Sequence, residues 1–154
     1  MNTNKHESKI MKKALGFFAI TLIAASAHAK LNVVATTSDF GAIAQEIGGD
    51  EVEVTTLAKP TEDPHFVDAR PSFVRVLNQA DVLIEGGAEL EIGWLPTLVA
   101  AARNAKILAD APGRLVLGRH IALLDIPAGP VDRSMGDVHP AGNPHFWLDP
   151  QNAP

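Results

Sequence analysis

Three short strand-like runs recur along the first ninety residues: the nearly continuous apolar LNVVAT at 31–36, the β-branched VEVTTL at 52–57 and DVLIE at 81–85. The first suits a strand buried on both faces of a sheet, and the second is marked by its β-branched residues. Between them the pattern is helical. Phe40, Ile43, Ala44 and Ile47 fall at i, i+3, i+4 and i+7, with Ser38 placed to cap and Gly48-Gly49 placed to stop the helix. Pro71 stands at the start of a second helix with Phe73, Val76 and Leu77 on one face. Trp94, Leu95, Leu98 and Ala102 mark a third, with Pro96 tolerable in its first turn and an end near Asn104. Strand and helix alternate with short connections, which predicts a parallel α/β sheet rather than an antiparallel sandwich.

A fourth strand is expected at Lys106–Leu108, and a hairpin from Leu115–Leu117 and Ile121–Leu124. The fold class is therefore α/β, a Rossmann-like lobe whose mainly parallel four-stranded sheet is flanked by helices. In such sheets ligands bind beyond the carboxyl ends of the strands, so the loop after the second strand, KPTEDPHFVDARP, is the first place to look for chemistry.

The first thirty residues read differently. Lys12 and Lys13 precede an apolar run from Ala14 to Ala25, which ends in Ala27-His28-Ala29. A charged start, a short apolar stretch and a small-x-small site are the parts of a secretory signal peptide, and about 12 apolar residues fall short of the ~20 that span a bilayer. Residues 1–29 are thus expected to be cleaved, with Met11 an alternative start. Of 154 residues, 125 would remain, with nine basic and seventeen acidic side chains. That acidic balance excludes a general nucleic-acid binder. The absence of cysteine excludes disulfides, thiolate metal sites, cysteine nucleophiles and a lipid-bearing N-terminal cysteine.

Chemistry then falls to histidine and carboxylate. His6 and His28 leave with the leader. His120, between Arg119 and Ile121, reads as a surface residue. His65 stands in Asp63-Pro64-His65 and His145 in Asn143-Pro144-His145, and His139 lies six positions before His145. Proline stiffens the local backbone and can hold an imidazole at a fixed angle, as a metal site needs. From the residues alone, solvated loop histidines and metal ligands remain open alternatives. Asp63, Asp68 and Asp149 lie near these histidines and could take a ligand's second N–H. Solvated acidic loops and helix caps are the competing reading for each. Trp94 reads as core. No H-E-x-x-H, G-x-S-x-G or phosphate-cradling glycine loop occurs, which disfavours the rival reading of a secreted metal-dependent hydrolase.

From Leu31 onward the sequence resembles the substrate-binding components of bacterial zinc and manganese ABC importers, the cluster A-I family. The resemblance rests on Thr37-Ser38, Ile47-Gly48-Gly49-Asp50 with VEVTTL, Asp63-Pro64-His65 with Arg70-Pro71-Ser72, Ala80-Asp81-Val82-Leu83, Glu91 with Trp94-Leu95, and above all VDRSMGDVHPAGNPHFWLDP at 131–150. It implies a two-lobed, helix-linked protein holding one divalent metal between the lobes and delivering it to a membrane permease. Residues 30–150 would form the N-terminal lobe and 151–154 the start of the linker, with a second lobe beyond this chain supplying a third histidine and a carboxylate.

The family's first two histidine ligands fall on His65 and His145. His139 is open between ligand and partner to a ligand. The stretch Asp125–Val138 is short and without histidine, unlike the long His-rich loop of many members, so metal scavenging there is not expected. The implied cargo is Zn²⁺, with Mn²⁺ as the alternative, because imidazole-rich sites suit zinc and oxygen-rich ones manganese. The implied setting is the periplasm, as a soluble monomer without a lipid anchor and without enzymatic activity. An adhesion role, assigned to some members, is a further alternative.

Overall fold

The computed structural model describes residues 29–152, so the predicted leader lies, but for Ala29, outside the described residues. Strand β1 (Leu31–Ala35) runs parallel to β2 (Val52–Thr56), Leu31 opposite Val52 and Ala35 opposite Thr56. On its other side β1 pairs in parallel with β3 (Val82–Glu85), Val33 opposite Val82. Beyond β3 lies β4 (Arg114–Val116), also parallel, Leu83 opposite Arg114. The order β2-β1-β3-β4 makes this the mainly parallel, four-stranded α/β sheet expected.

Successive strand residues point to opposite faces, and each face carries its own core. Val34 and Leu83 pack with Phe73 and Leu77 of helix α2 (Pro71–Gln79) and with Leu95 and Leu98 of helix α3 (Leu95–Ala102). Val33, Ala35 and Ile84 pack on the opposite side with Phe40 of helix α1 (Ser38–Gly48), Leu90 and Phe146. Two-sided burial is why the sequences of the central strands β1 and β3 lack alternation, whereas β2, at the sheet edge, has no fully buried residue. The α1 cap is Thr37, one residue before the expected Ser38; its hydroxyl accepts from the Phe40 N–H at 3.4 Å. Gly49, at φ +52°, ends the helix in a conformation that disfavours a side chain. Pro71 and Pro96 occupy the first turns of α2 and α3, where no intrahelical donor is lost.

The fourth strand is not where the sequence placed it. Lys106–Leu108 is no strand; Ala105–Ile107 is a 3₁₀ turn. Asn104 anchors it, accepting from the Lys106 N–H at 3.0 Å and donating to the carbonyls of Leu77 and Ala80. These bonds fold the chain back on α2 and deny KIL a ladder. Nor is there a hairpin: Leu115 lies within parallel β4, and Leu117–His120 is a 3₁₀ turn. Two features direct β4 to β3. The Gly113 carbonyl accepts from the Leu83 N–H at 2.7 Å, and a side chain on Gly113 would collide with the carbonyl oxygens of Asp81 and Lys106. Arg114 then grips Glu85 with two hydrogen bonds, 3.0 and 2.8 Å long, both side chains largely buried.

Strand order reverses at β1, whose neighbours are reached in opposite directions. The crevice beyond the carboxyl ends of β1 and β3 is the switch point, where ligands of open α/β sheets bind. Buried Glu91 holds it together. Its carboxylate accepts from the Thr36 hydroxyl at 2.7 Å and from the N–H groups of Gly86 and Gly87 at 2.8 and 3.1 Å.

Candidate metal centre

The sequence motifs Asp63-Pro64-His65 and Asn143-Pro144-His145 fold into the same local device. Asp63 Oδ1 accepts from the His65 N–H at 2.9 Å, and Asn143 Oδ1 accepts from the His145 N–H at 3.0 Å. Each is an Asx turn across a proline, closed on the backbone N–H of the following histidine. The first turn is fixed from below by Trp94, whose indole N–H donates to the Pro64 carbonyl at 2.8 Å. Trp94 is core, as expected, but its polar edge also sets the His65 loop. Glu62 braces the same loop through the Lys59 N–H and Arg70, and has no hydrogen bond to an imidazole.

The second turn is carried by aromatic anchors. Phe146 stacks on Phe40 with ring centroids 6.2 Å apart, and Trp147 meets Phe40 edge-on at 5.3 Å. These rings tie residues 143–148 to the α1 face of the sheet, while Pro144 is fully buried beneath them. The result brings residues eighty positions apart together. The His65 and His145 rings lie 5.1 Å apart, as do those of His65 and His139.

The closest approach joins His65 Nε2 and His139 Nε2, 3.1 Å apart, with only about an eighth of each side chain exposed. Two ring nitrogens at that distance need something between them: a proton held by one and accepted by the other, or a cation accepting both lone pairs. Nitrogens each ~2.0–2.1 Å from one tetrahedral zinc lie about 3.3–3.4 Å apart, so the observed separation is within a few tenths of an ångström of that edge. Among the described residues, no three His, Asp or Glu groups are already arranged around a single point. His145 approaches by its ring rather than by a shared vertex.

Electrostatics favour imidazoles with free lone pairs. Asp63 Oδ1 also lies 3.0 Å from His65 Nδ1, which places that ring's proton on Nδ1 and leaves Nε2 to face His139. The His65 backbone N–H, and then its imidazole, hold the Asp63 carboxyl below its ordinary pKa. Burial, and then the nearby His65 and His139, hold the His145 imidazole below the usual histidine value, so the neutral form dominates near neutral pH.

The other acids singled out in the sequence stand apart. Among the described residues no hydrogen bond joins Asp68 or Asp149 to an imidazole; Asp68 is exposed, and Asp149 accepts from the Gln151 N–H at 2.9 Å. Asp149 nonetheless lines a small pocket with His145. His120 is exposed, as expected. Sequence reasoning passed over Glu89, whose Oε2 lies 3.8 Å from His139 Nδ1. Nothing local marks it, since it is one more acid after Gly86-Gly87.

Over residues 33–154 the chain matches the family model described as ZnuA, zinc-uptake complex component A, periplasmic. The metal ABC transporter substrate-binding lipoprotein SsaB of Streptococcus sanguinis is 32% identical over 108 residues, covering 60% of this chain and 35% of that protein. The manganese-binding lipoprotein MntA of Bacillus subtilis is 42% identical over 66 residues, 43% of this chain and 22% of that protein. A zinc-bound deletion mutant of ZnuA superposes with a TM-score of 0.60 and 25% identity, over 80% of this chain and 42% of that one. A metal-free point mutant of a periplasmic metal binding protein from Candidatus Liberibacter asiaticus gives 0.61 at 24% identity, over 81% and 41%, and shares the fold. The chain thus spans about a third or less of the length of these curated relatives.

Proposed function

Given that the chain belongs to this family of periplasmic metal-uptake components, whose model it matches over residues 33–154, we propose that it serves as the N-terminal lobe (residues 30–150) of an exported receptor that captures a divalent transition metal and delivers it to an ABC permease. In this reading His65, His145 and His139 supply imidazole nitrogens, and Asp63 orients His65. The observation that carries it is the facing of His65 Nε2 and His139 Nε2 at 3.1 Å, with a carboxylate on the Nδ1 side of His65. A neutral imidazole whose other nitrogen donates to a carboxylate is the usual form of a histidine metal ligand. The family consists of binding components rather than enzymes.

Zinc is the proposed cargo, supported by a donor set made of imidazoles. Manganese is the second reading, favoured by relatives named for it, among them the manganese-binding lipoprotein MntA of Bacillus subtilis. Titrating the protein with Zn²⁺ and Mn²⁺ in separate calorimetric runs tests both. Zinc is expected to bind at one ion per chain and more tightly than manganese, and His65→Ala or His145→Ala to weaken it at least tenfold. Unchanged affinity in both variants refutes the metal-receptor reading, and tighter manganese binding refutes the choice of zinc.

A further inference from the structure

The facing histidines are not equally accounted for. His65 has a carboxylate at Nδ1, 3.0 Å away; His139 has one too, at longer range. Glu89 Oε2 lies 3.8 Å from His139 Nδ1. The two rings are stacked with 20° between their planes and approach through Nε2. Each imidazole therefore turns Nδ1 to an acid and Nε2 to the same point, although the acids come from different loops. Asp63 follows β2 and Glu89 follows β3.

Glu89 is held where it can act. Gly87, Ala88 and Glu89 all have left-handed backbones, at φ +75°, +51° and +69°. The turn is clamped on both sides, by the Glu91 carboxylate on the Gly86 and Gly87 N–H groups and by Leu90, fully buried and donating to the Gly87 carbonyl at 3.0 Å. The Glu89 side chain is 43% exposed, so a small torsional change closes 3.8 Å to the ~2.8 Å of a charge-assisted hydrogen bond.

We propose that Glu89 is the positioning residue for His139: it accepts the Nδ1–H, fixes that tautomer, and leaves the Nε2 lone pair to an incoming divalent cation, as Asp63 does for His65. This rests on the metal-receptor reading above and adds to it a carboxylate that no motif marks. It also makes His139 a ligand rather than a bystander.

The test is zinc titration against a competing chelator, using wild type, Glu89→Ala, Glu89→Gln, His139→Ala and the Glu89→Ala/His139→Ala double variant. Loss of such an orienting carboxylate weakens metal affinity by roughly 10–100-fold, which is expected for Glu89→Ala. Glu89→Gln keeps an acceptor oxygen and is expected to recover part of the loss. In the His139→Ala background Glu89→Ala is expected to change nothing, an outcome that a merely structural role does not produce. Nitrogen-15 NMR of the zinc-loaded protein is expected to show His139 protonated at Nδ1, with that proton exchanging faster with solvent in Glu89→Ala. Wild-type affinity in Glu89→Ala, or an equal loss with and without His139, overturns the inference. His65→Ala and His145→Ala separate the two readings. If they weaken binding while Glu89→Ala keeps wild-type affinity, only the role of Glu89 fails; if they leave affinity intact, the receptor reading fails as well.

Discussion

Replacing Glu91 with leucine tests whether the switch point of the sheet is held by one buried carboxylate. Glu91 is 3% exposed and accepts three hydrogen bonds, from the Thr36 hydroxyl and the N–H groups of Gly86 and Gly87. Leucine fills similar space but accepts none. The Thr36 and Gly86 donors are buried, and each costs about 1–3 kcal/mol when left unpaired. The Gly87 N–H is partly open to water and adds less. The sum is about 4 kcal/mol, a large fraction of the ~5–15 kcal/mol that holds a domain together. For a lobe of this size it lowers the melting temperature by roughly 12–20 °C.

Glu91→Gln keeps one acceptor oxygen but turns an amide NH₂ toward a donor, and is expected to cost about 1–2 kcal/mol. The pH dependence carries a definite sign. Burial, the largest influence, raises the folded-state pKa of Glu91 above its ordinary value despite the three hydrogen bonds. Its contribution is therefore complete below the unfolded carboxylate pKa and declines as pH rises through the raised folded value. The penalty of Glu91→Gln relative to wild type should shrink from pH 5 to pH 8. Urea denaturation at both pH values measures it. A loss under about 1 kcal/mol for Glu91→Leu, or a Glu91→Gln penalty that grows with pH, refutes the reasoning.

Two further outcomes follow from the same geometry. Phe146→Ala removes a ring stacked on Phe40 beneath the His145 turn; it should cost about 3–4 kcal/mol in urea denaturation and weaken zinc binding, whereas stable protein with unchanged zinc affinity shows that the turn is held otherwise. The His145 imidazole, depressed by burial and by its two histidine neighbours, should titrate below the usual histidine value by proton NMR. Its stability contribution is then present above the unfolded pKa and lost as pH falls through the folded one, and a normal or raised value contradicts the clustering.

The parts of the fold legible in the sequence were those written in local periodicity. Apolar and β-branched runs, Gly48-Gly49 and the helix-starting prolines located three strands and three helices, because burial and capping act on neighbouring residues. The fourth strand was misplaced because KIL and RLV are equally apolar triplets. What separated them was a Gly113 that only the Asp81 and Lys106 carbonyls require and an Arg114 whose partner, Glu85, lies 29 residues away. The proline turns around His65 and His145 were equally local. Their meeting was not, since it depends on Phe146 and Trp147 finding Phe40, a hundred residues earlier, on one face of the sheet.

The sequence by itself determined an α/β chain without thiol chemistry, with two stiff Asx-Pro-His loops and a family resemblance that its model match bears out. Only the tertiary structure decided which of its acids stand near which imidazoles. Asp63, two residues from His65, lies 3.0 Å from its ring; Asp68 and Asp149 were equally plausible in sequence, but among the described residues neither hydrogen-bonds an imidazole. Glu89 and Glu91, two positions apart, differ entirely in surroundings, one half-exposed beside His139 and the other buried among backbone donors. The reason is physical: a hydrogen bond is decided by position to within half an ångström, and in a parallel sheet that position is set by strand order and loop packing across dozens of residues.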